Sequence, residues 1–396
     1  MRPLYFAIII LIIIVIVVTM LFSFFRGGQE QLKKEQEPAK LPLSSEEIKK
    51  QEPPTLPITA IEEIKEKNIE ELPALSLIQI ANEPISGFKP LKDGLSRYID
   101  KATGHIFEAS LVNGGKELIS NTTLPKIFEV KWSEDGKKAL FKYLEGEEAK
   151  IVSAEFSGTS TKGFILPQNI FSFGYAAGSD NIFYLIPTGD NRENGTVIRA
   201  TYKNQSQREI YSSPFADFIV SFPKSDILSL ATRPSGIAPG FLYQFNPLTG
   251  SFKKILGDIF GLEAKWDAKG EKFAFSGYDP DSQKPTLKFY NLKKEEVSAL
   301  TFSGLAQKCA FSRIDADMVY CAVPKNPPLA LYPDEWHQGL VKLEDEFFKI
   351  NLKTGETKMI YNERLFDVWD IEVAPNEDFL YFKDRDNEFL WAIKLR

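Results

Sequence analysis

The feature that most constrains this chain is a strand, tight turn and returning strand that recurs at a nearly fixed interval. The clearest copies are Val130-Lys131-Trp132-Ser133-Glu134-Asp135-Gly136-Lys137-Lys138-Ala139-Leu140-Phe141 and Ala264-Lys265-Trp266-Asp267-Ala268-Lys269-Gly270-Glu271-Lys272-Phe273-Ala274-Phe275. In both, apolar and polar residues alternate up to an aromatic, and a short Asp/Gly turn reverses the chain, as in a tight antiparallel hairpin. Weaker copies occupy residues 222–228, 311–315 and 373–379.

Spacing turns these hairpins into an architecture. Trp132, Phe222, Trp266 and Phe311 are 90, 44 and 45 residues apart, and a degenerate copy at 175–183 falls inside the double gap. A repeat of ~40–45 residues built from four short strands is a propeller blade. A two-sheet sandwich would give similar strands without a reason to hold the interval. Sets of strands open near residues 85, 127, 171, 215, 261, 305 and 366, and the sixth, running to 361, carries a long insertion between its second and third strands. The last set offers only three strands (366–373, 379–383, 389–395). Residues 75–80 are therefore expected to complete it, since closing the ring removes the edges an open array would expose. The expected fold is all-β, a seven-bladed β-propeller over residues 74–396 with an N-terminal transmembrane helix. On this reading Trp132 and Trp266 are core residues, and truncating either to Ala should cost roughly 3–5 kcal/mol.

Ahead of the repeats the composition changes twice. Residues 4–25 carry no charge and are dominated by Ile, Leu, Val and Phe, enough at 1.5 Å per residue to cross a hydrocarbon core of about 30 Å. The run exceeds the h-region of a signal peptide and ends in Phe24-Phe25-Arg26 without a small-x-small cleavage pattern, so residues 1–26 read as an uncleaved signal anchor in the lipid bilayer. Residues 27–73 are rich in Glu, Lys, Gln and Pro and nearly free of aromatics, the composition of a flexible linker. The short tail before the span favours a single-pass protein with its large domain extracytoplasmic. A net charge of −6 and a pI near 5.4 speak against a nucleic-acid partner.

Only two cysteines are present. Cys309 and Cys321 lie symmetrically about Asp315 in a predicted turn, opposite each other across one hairpin, either as a disulfide or as two buried thiols. An exported location favours the disulfide. Two histidines, no CxxC and no His/Cys cluster leave no expected metal site or cofactor. The charge run Glu372, Asp378, Asp384, Arg385, Asp386 and Glu388 reads as a solvated rim.

Function is sought in loop length. Second-to-third connections, all on one face of a propeller, are enlarged at 187–195, 233–239, 277–285 and above all 324–346, and a rigid scaffold commonly presents recognition residues on such loops. The longest holds Tyr332, Asp334, Glu335, Trp336 and His337. The two aromatics offer contact area and the polar three directed contacts to an envelope protein, peptide or glycan. Alternatively the loop folds over the end of the ring and its aromatics cap the core. Asp334, Glu335 and His337 could also serve a hydrolytic or glycan-processing enzyme, yet no nucleophile or cleft is identifiable, so no catalytic residue is assigned.

The segment Trp132-Ser133-Glu134-Asp135-Gly136-Lys137-Lys138-Ala139-Leu140 resembles the strand-turn-strand signature of TolB-like and WD40-like propeller repeats, and Trp266 to Lys272 resembles it less closely. By period the resemblance spans residues 75–396. It implies a recognition scaffold of the membrane-anchored bacterial envelope type.

Overall fold

A computed structural model describes residues 77–396 apart from Gly158, Thr159, Asn191 and Ala299. The expected span at 4–25 and the linker lie outside the described residues. Seven four-stranded antiparallel sheets form the fold. Their first strands, Ile85–Pro90, Ile127–Trp132, Ser172–Tyr175, Phe218–Lys224, Glu263–Trp266, Cys309–Phe311 and Val368–Val373, define blades 1 to 7 and approach their neighbours around the axis. In blade 7 the order is Val368–Val373, Phe379–Asp384, Leu390–Lys394 and then Leu77–Gln79, which pairs through Leu77↔Ile393, Ile78↔Ala392 and Gln79↔Trp391. The start of the described chain thus fastens the end of it.

Burial explains why marginal sheets hold together. Second strands are apolar on both faces because each is sandwiched between two neighbouring blades. In Phe379–Asp384, Leu380 and Phe382 pack toward blade 6 with Phe347, while Phe379 and Tyr381 pack toward blade 1 with Phe88 and Tyr98. Blade 2 repeats this, with Ala139 and Phe141 facing blade 1 and Leu140 facing blade 3. Each such side chain contributes about 1.5–3 kcal/mol by leaving water, and every blade shares its layers with both neighbours.

The repeated turn is built from its own side chains. Ser133 Oγ accepts from the Lys138 amide at 2.9 Å and donates to Asp135 Oδ1 at 2.7 Å, while Gly136 takes φ of 66°. In the second copy Asp267 Oδ1 accepts from the amides of Glu271 and Lys272, and Gly270 takes φ of 65°. Left-handed backbone of this kind suits glycine. The lysine that opens each returning strand reaches the next blade, Lys138 to Asp180 at 3.0 Å and Lys272 to Asp317. Trp132 and Trp266 are half-buried, not fully enclosed. They lean on Phe156 and Phe273, and the Trp266 indole donates to Ser229 Oγ at 3.0 Å, so truncation at either should fall short of the full-burial cost.

Two enlarged connections prove to be strand. Thr188 pairs with Asn194 and Asp279 with Lys284, so the apparent loops at 187–195 and 277–285 are mostly hairpin, reduced to tips at 189–193 and 280–283. Polar residues there mislead because a hairpin projecting beyond the ring meets water on both faces. Residues 233–238 and 325–344 are true loops. Cys309 and Cys321 are register partners across the first hairpin of blade 6 and form a disulfide in the fully buried core.

Candidate functional site

Residues 325–344 leave blade 6 and fold over the face that carries the second-to-third connections. A short helix, Asp334–Gln338, closes on Gly339 at φ of 82°. Contacts with three other blades hold the loop down. Asp334 Oδ2 accepts from the Gly236 amide of blade 4 at 2.6 Å, and His337 Nε2 meets Glu263 Oε1 of blade 5 at 2.7 Å. Arg385 of blade 7 donates to the carbonyls of His337 and Val341, both at 3.3 Å. Approach is close enough to require glycine beneath. A Cβ on Gly261 would lie 2.6 Å from the Tyr332 carbonyl oxygen, and one on Gly236 would lie 2.6 Å from Leu331 Cδ1.

Tyr332 and Trp336 are fully buried in a separate apolar cluster with Leu305, Ala330 and Leu343. Their rings cap the ring of blades from inside and present no contact area. Trp336 stacks on Trp369 with centroids 5.1 Å apart, and the Tyr332 hydroxyl donates to the Pro328 carbonyl at 2.9 Å. Burial, then the nearby carboxylates of Asp367, Glu335 and Asp345, pushes that phenol well above the usual tyrosine range. Asp334, Glu335 and His337 are half-exposed, and Asp334 and His337 are the side chains engaged by Gly236 and Glu263.

Beneath the cap lies a charged cluster that sequence reasoning did not find. Lys308 Nζ lies 2.6 Å from Asp345 Oδ2 and 2.8 Å from Asp367 Oδ1. The Trp336 indole N–H donates to Asp367 Oδ1 at 2.9 Å, and the Leu343 amide to its Oδ2 at 3.2 Å. Asp345 Oδ2 also accepts from the Val368 amide at 2.8 Å, whereas its buried Oδ1 has no hydrogen-bond partner. Burial pushes the Asp345 carboxyl up to about 6 against the opposing pull of Lys308 and the Val368 amide. Above Trp336 the Arg385 guanidinium lies 4.9 Å from the ring centroid. The one local signal was Lys308 itself, a charge inside the apolar run Leu305-Ala306-Gln307-Lys308-Cys309-Ala310-Phe311.

The terminal charge run is a solvated rim only in part, at exposed Asp386 and half-exposed Asp378. Asp384 is buried, Glu372 pairs with Lys89 at 2.7 Å, and Arg385 and Glu388 help line a cavity of about 220 Å³ beside His337 and Trp369. A larger depression of about 700 Å³ lies on the opposite face between blades 5 and 6, lined in part by Lys272, Lys294 and Lys353. Among the described residues no group of three or more His, Cys, Asp or Glu side chains could hold a metal ion.

Around the cap the same face exposes apolar side chains, one of them, Leu329, on the cap loop itself. Phe171 and Phe215 lie in connections between blades, Phe128 and Ile219 near the starts of first strands, and Ile237 and Leu329 in second-to-third loops. All six are exposed, Ile237 at 77%. Antiparallel alternation puts every one of these positions at the same end of the ring.

No protein-family model matches the chain, and no curated protein matches it. Solved structures share its fold. The β-propeller domain of Cps50 (Swd1) from Myceliophteria thermophila aligns with a TM-score of 0.53 at 11% identity, covering 81% of this chain and 98% of that one. Oligogalacturonate lyase from Vibrio parahaemolyticus gives 0.52 at 9%, covering 82% and 99%. Tricorn protease gives 0.50 at 12%, covering 82% of this chain and 34% of its own. At these identities the likeness is one of fold.

Proposed function

We propose that this propeller is a membrane-tethered, extracytoplasmic recognition scaffold that binds a protein or peptide on the open part of its capped face. The carrying observation is the exposure of Phe128, Phe171, Phe215, Ile219 and Ile237, with Leu329 on the loop itself, on the face that the folded loop partly closes. Large apolar side chains left in water on a rigid scaffold mark interaction surfaces. Aliphatic Ile219, Ile237 and Leu329 offer no hydrogen bonds, which favours a peptide or protein surface over a glycan. Glu335 stands on the cap as a polar contact at the border of that surface, while Asp334 and His337, bonded to Gly236 and Glu263, set the position of the cap beside it. The buried Cys309–Cys321 disulfide supports an oxidising compartment, and residues 4–25 supply the anchor. No helix of the described residues is long and apolar enough to cross a membrane, so the tether rests on that segment.

Replacing Phe128, Phe171 and Ile237 together by Ser tests the reading. The expected result is an unchanged melting temperature with loss of the partners that wild type retains from detergent-solubilised native membranes. Equal retention by the variant would remove the proposal. Protection of the propeller from added protease until the cell is broken would overturn the extracytoplasmic placement.

A further inference from the structure

The cluster beneath the cap has the components of a self-condensing amide. We propose that Lys308 and Asp345 become joined by an intramolecular isopeptide bond in the folded protein, with Asp367 carrying the proton. The two reacting side chains are fully buried, and the amine nitrogen lies 2.6 Å from Asp345 Oδ2. In water an ammonium and a carboxylate pair as ions and do not condense. Burial penalises both charged forms, and passing one ammonium proton to Asp345 Oδ2, the oxygen in contact with the amine, leaves an amine and an acid that can react. The upward displacement of the Asp345 carboxyl is in the direction this transfer needs.

The surrounding groups fit the remaining steps. Lys308 Nζ attacks Asp345 Cγ, and the charge that develops falls on Oδ1, the oxygen that makes no other hydrogen bond. Asp367 Oδ1, 2.8 Å from Nζ, removes one proton from the nitrogen and passes it to Oδ2, which already holds the proton taken from the ammonium. The Cγ–Oδ2 bond breaks, one water departs, and Nζ–Cγ remains as an amide whose oxygen is Oδ1. The Val368 amide, which donates to Oδ2 at 2.8 Å, favours that departure. No oxidant, metal or cofactor enters the balance. Asp367 ends as it began, held by the Trp336 indole N–H, the Leu343 amide and Arg385 at 3.7 Å. The indole face of Trp336, 4.8 Å from Nζ, helps exclude water from the amine. Holding nucleophile, electrophile and base in fixed contact gives the effective concentration that condensation requires.

The bond would close a covalent ring from residue 308 to 345 that contains the entire cap and, inside it, the Cys309–Cys321 disulfide. Blade 6 would then be stapled twice at the place where its loop spans the face. This inference is independent of what the open surface binds.

Mass spectrometry of the full chain, reduced and alkylated, decides it. The expected result is an intact mass one water below that of the sequence, after allowing for alkylation, and a branched peptide joining Lys308 to Asp345 on digestion. Asp345→Asn should lose one ammonia instead and give the same branched peptide, whereas Lys308→Ala and Asp367→Ala should show linear peptides only. Recovery of wild type at full sequence mass, with linear peptides covering Lys308 and Asp345, would overturn the proposal and leave a buried ion pair. Loss of water located at any other pair of residues overturns it equally.

Discussion

Three first-to-second turns share one backbone pattern, in which Gly136 donates to Ser133, Gly270 to Asp267 and Glu377 to Ala374. The fourth residue of each turn is left-handed, and a glutamate at φ of 57° is strained where glycine is not. The strain is offset by what the side chain does. Glu377 Oε1 accepts from Ser312 Oγ and from the amides of Arg313 at 2.7 Å and Ile314 at 3.0 Å, and Oε2 accepts from the Tyr320 hydroxyl at 3.1 Å, all in blade 6. Burial alone would raise its carboxyl, but the bonds from Ser312, Ile314, Arg313 and Tyr320 prevail and lower it below the ordinary 4.5. A depressed carboxyl stabilises the fold above its unfolded value and loses that contribution as pH falls through the folded one. Glu377→Gln should therefore lower stability at pH 7 by about 1.5–3 kcal/mol and differ little from wild type in strong acid. Denaturant midpoints for both proteins across pH would show the curves converging below the ordinary carboxylate range, and a constant offset would refute the assignment. The turn itself was legible from Asp and Gly. Glu377 was not, because its partners lie 57 to 65 residues away in sequence.

At the scale of elements, double-faced burial made the second strands easy to read, and the same logic hid the cap. A stretch such as Leu380-Tyr381-Phe382 can only be an inner strand once blades lie on both sides of it. Residues 325–344 instead alternate buried Tyr332 and Trp336 with half-exposed Asp334 and His337, a pattern equally suited to a lid and to a contact loop until Asp367 and Trp369 are seen beneath it. Trp336→Ala should cost about 3–5 kcal/mol by opening a cavity and stranding Asp367, whereas Leu340→Ser, at a site 69% exposed, should stay within about 0.5 kcal/mol. Equal effects would mean that the loop is not packed as described. The neighbouring hairpin makes its own prediction. Replacing Cys309 and Cys321 together by Ala opens a loop with a sequence separation of 12, and a loop of that size should cost about 2–3 kcal/mol. Wild type measured in reductant should approach the double variant.

For the whole molecule the decisive element is a short outer strand, Leu77–Gln79. Those three residues complete blade 7 by pairing with Leu390–Lys394, and Ile80 and Ile85 add amide bonds to the carbonyls of Leu390 and Glu388 at 2.8 and 2.9 Å. The seven blades were countable from spacing, but spacing is blind to whether the ends meet, since an open array would show the same interval. Cooperativity distinguishes them. In a closed ring each blade has two covered faces, so opening one seam exposes two blades at once and transmits the loss around the ring. Deleting residues through Gln79 should bare the edge beside Trp391 and Ile393, both otherwise buried, and leave unpaired amides that invite association. The expected outcome is a lower, broader thermal transition with concentration-dependent aggregation. Deletion through residue 73 keeps the strand and should melt as the full propeller does. If the two truncations melt alike, the seam does not carry the stability assigned to it, and the blades are held chiefly by the seven apolar layers between them.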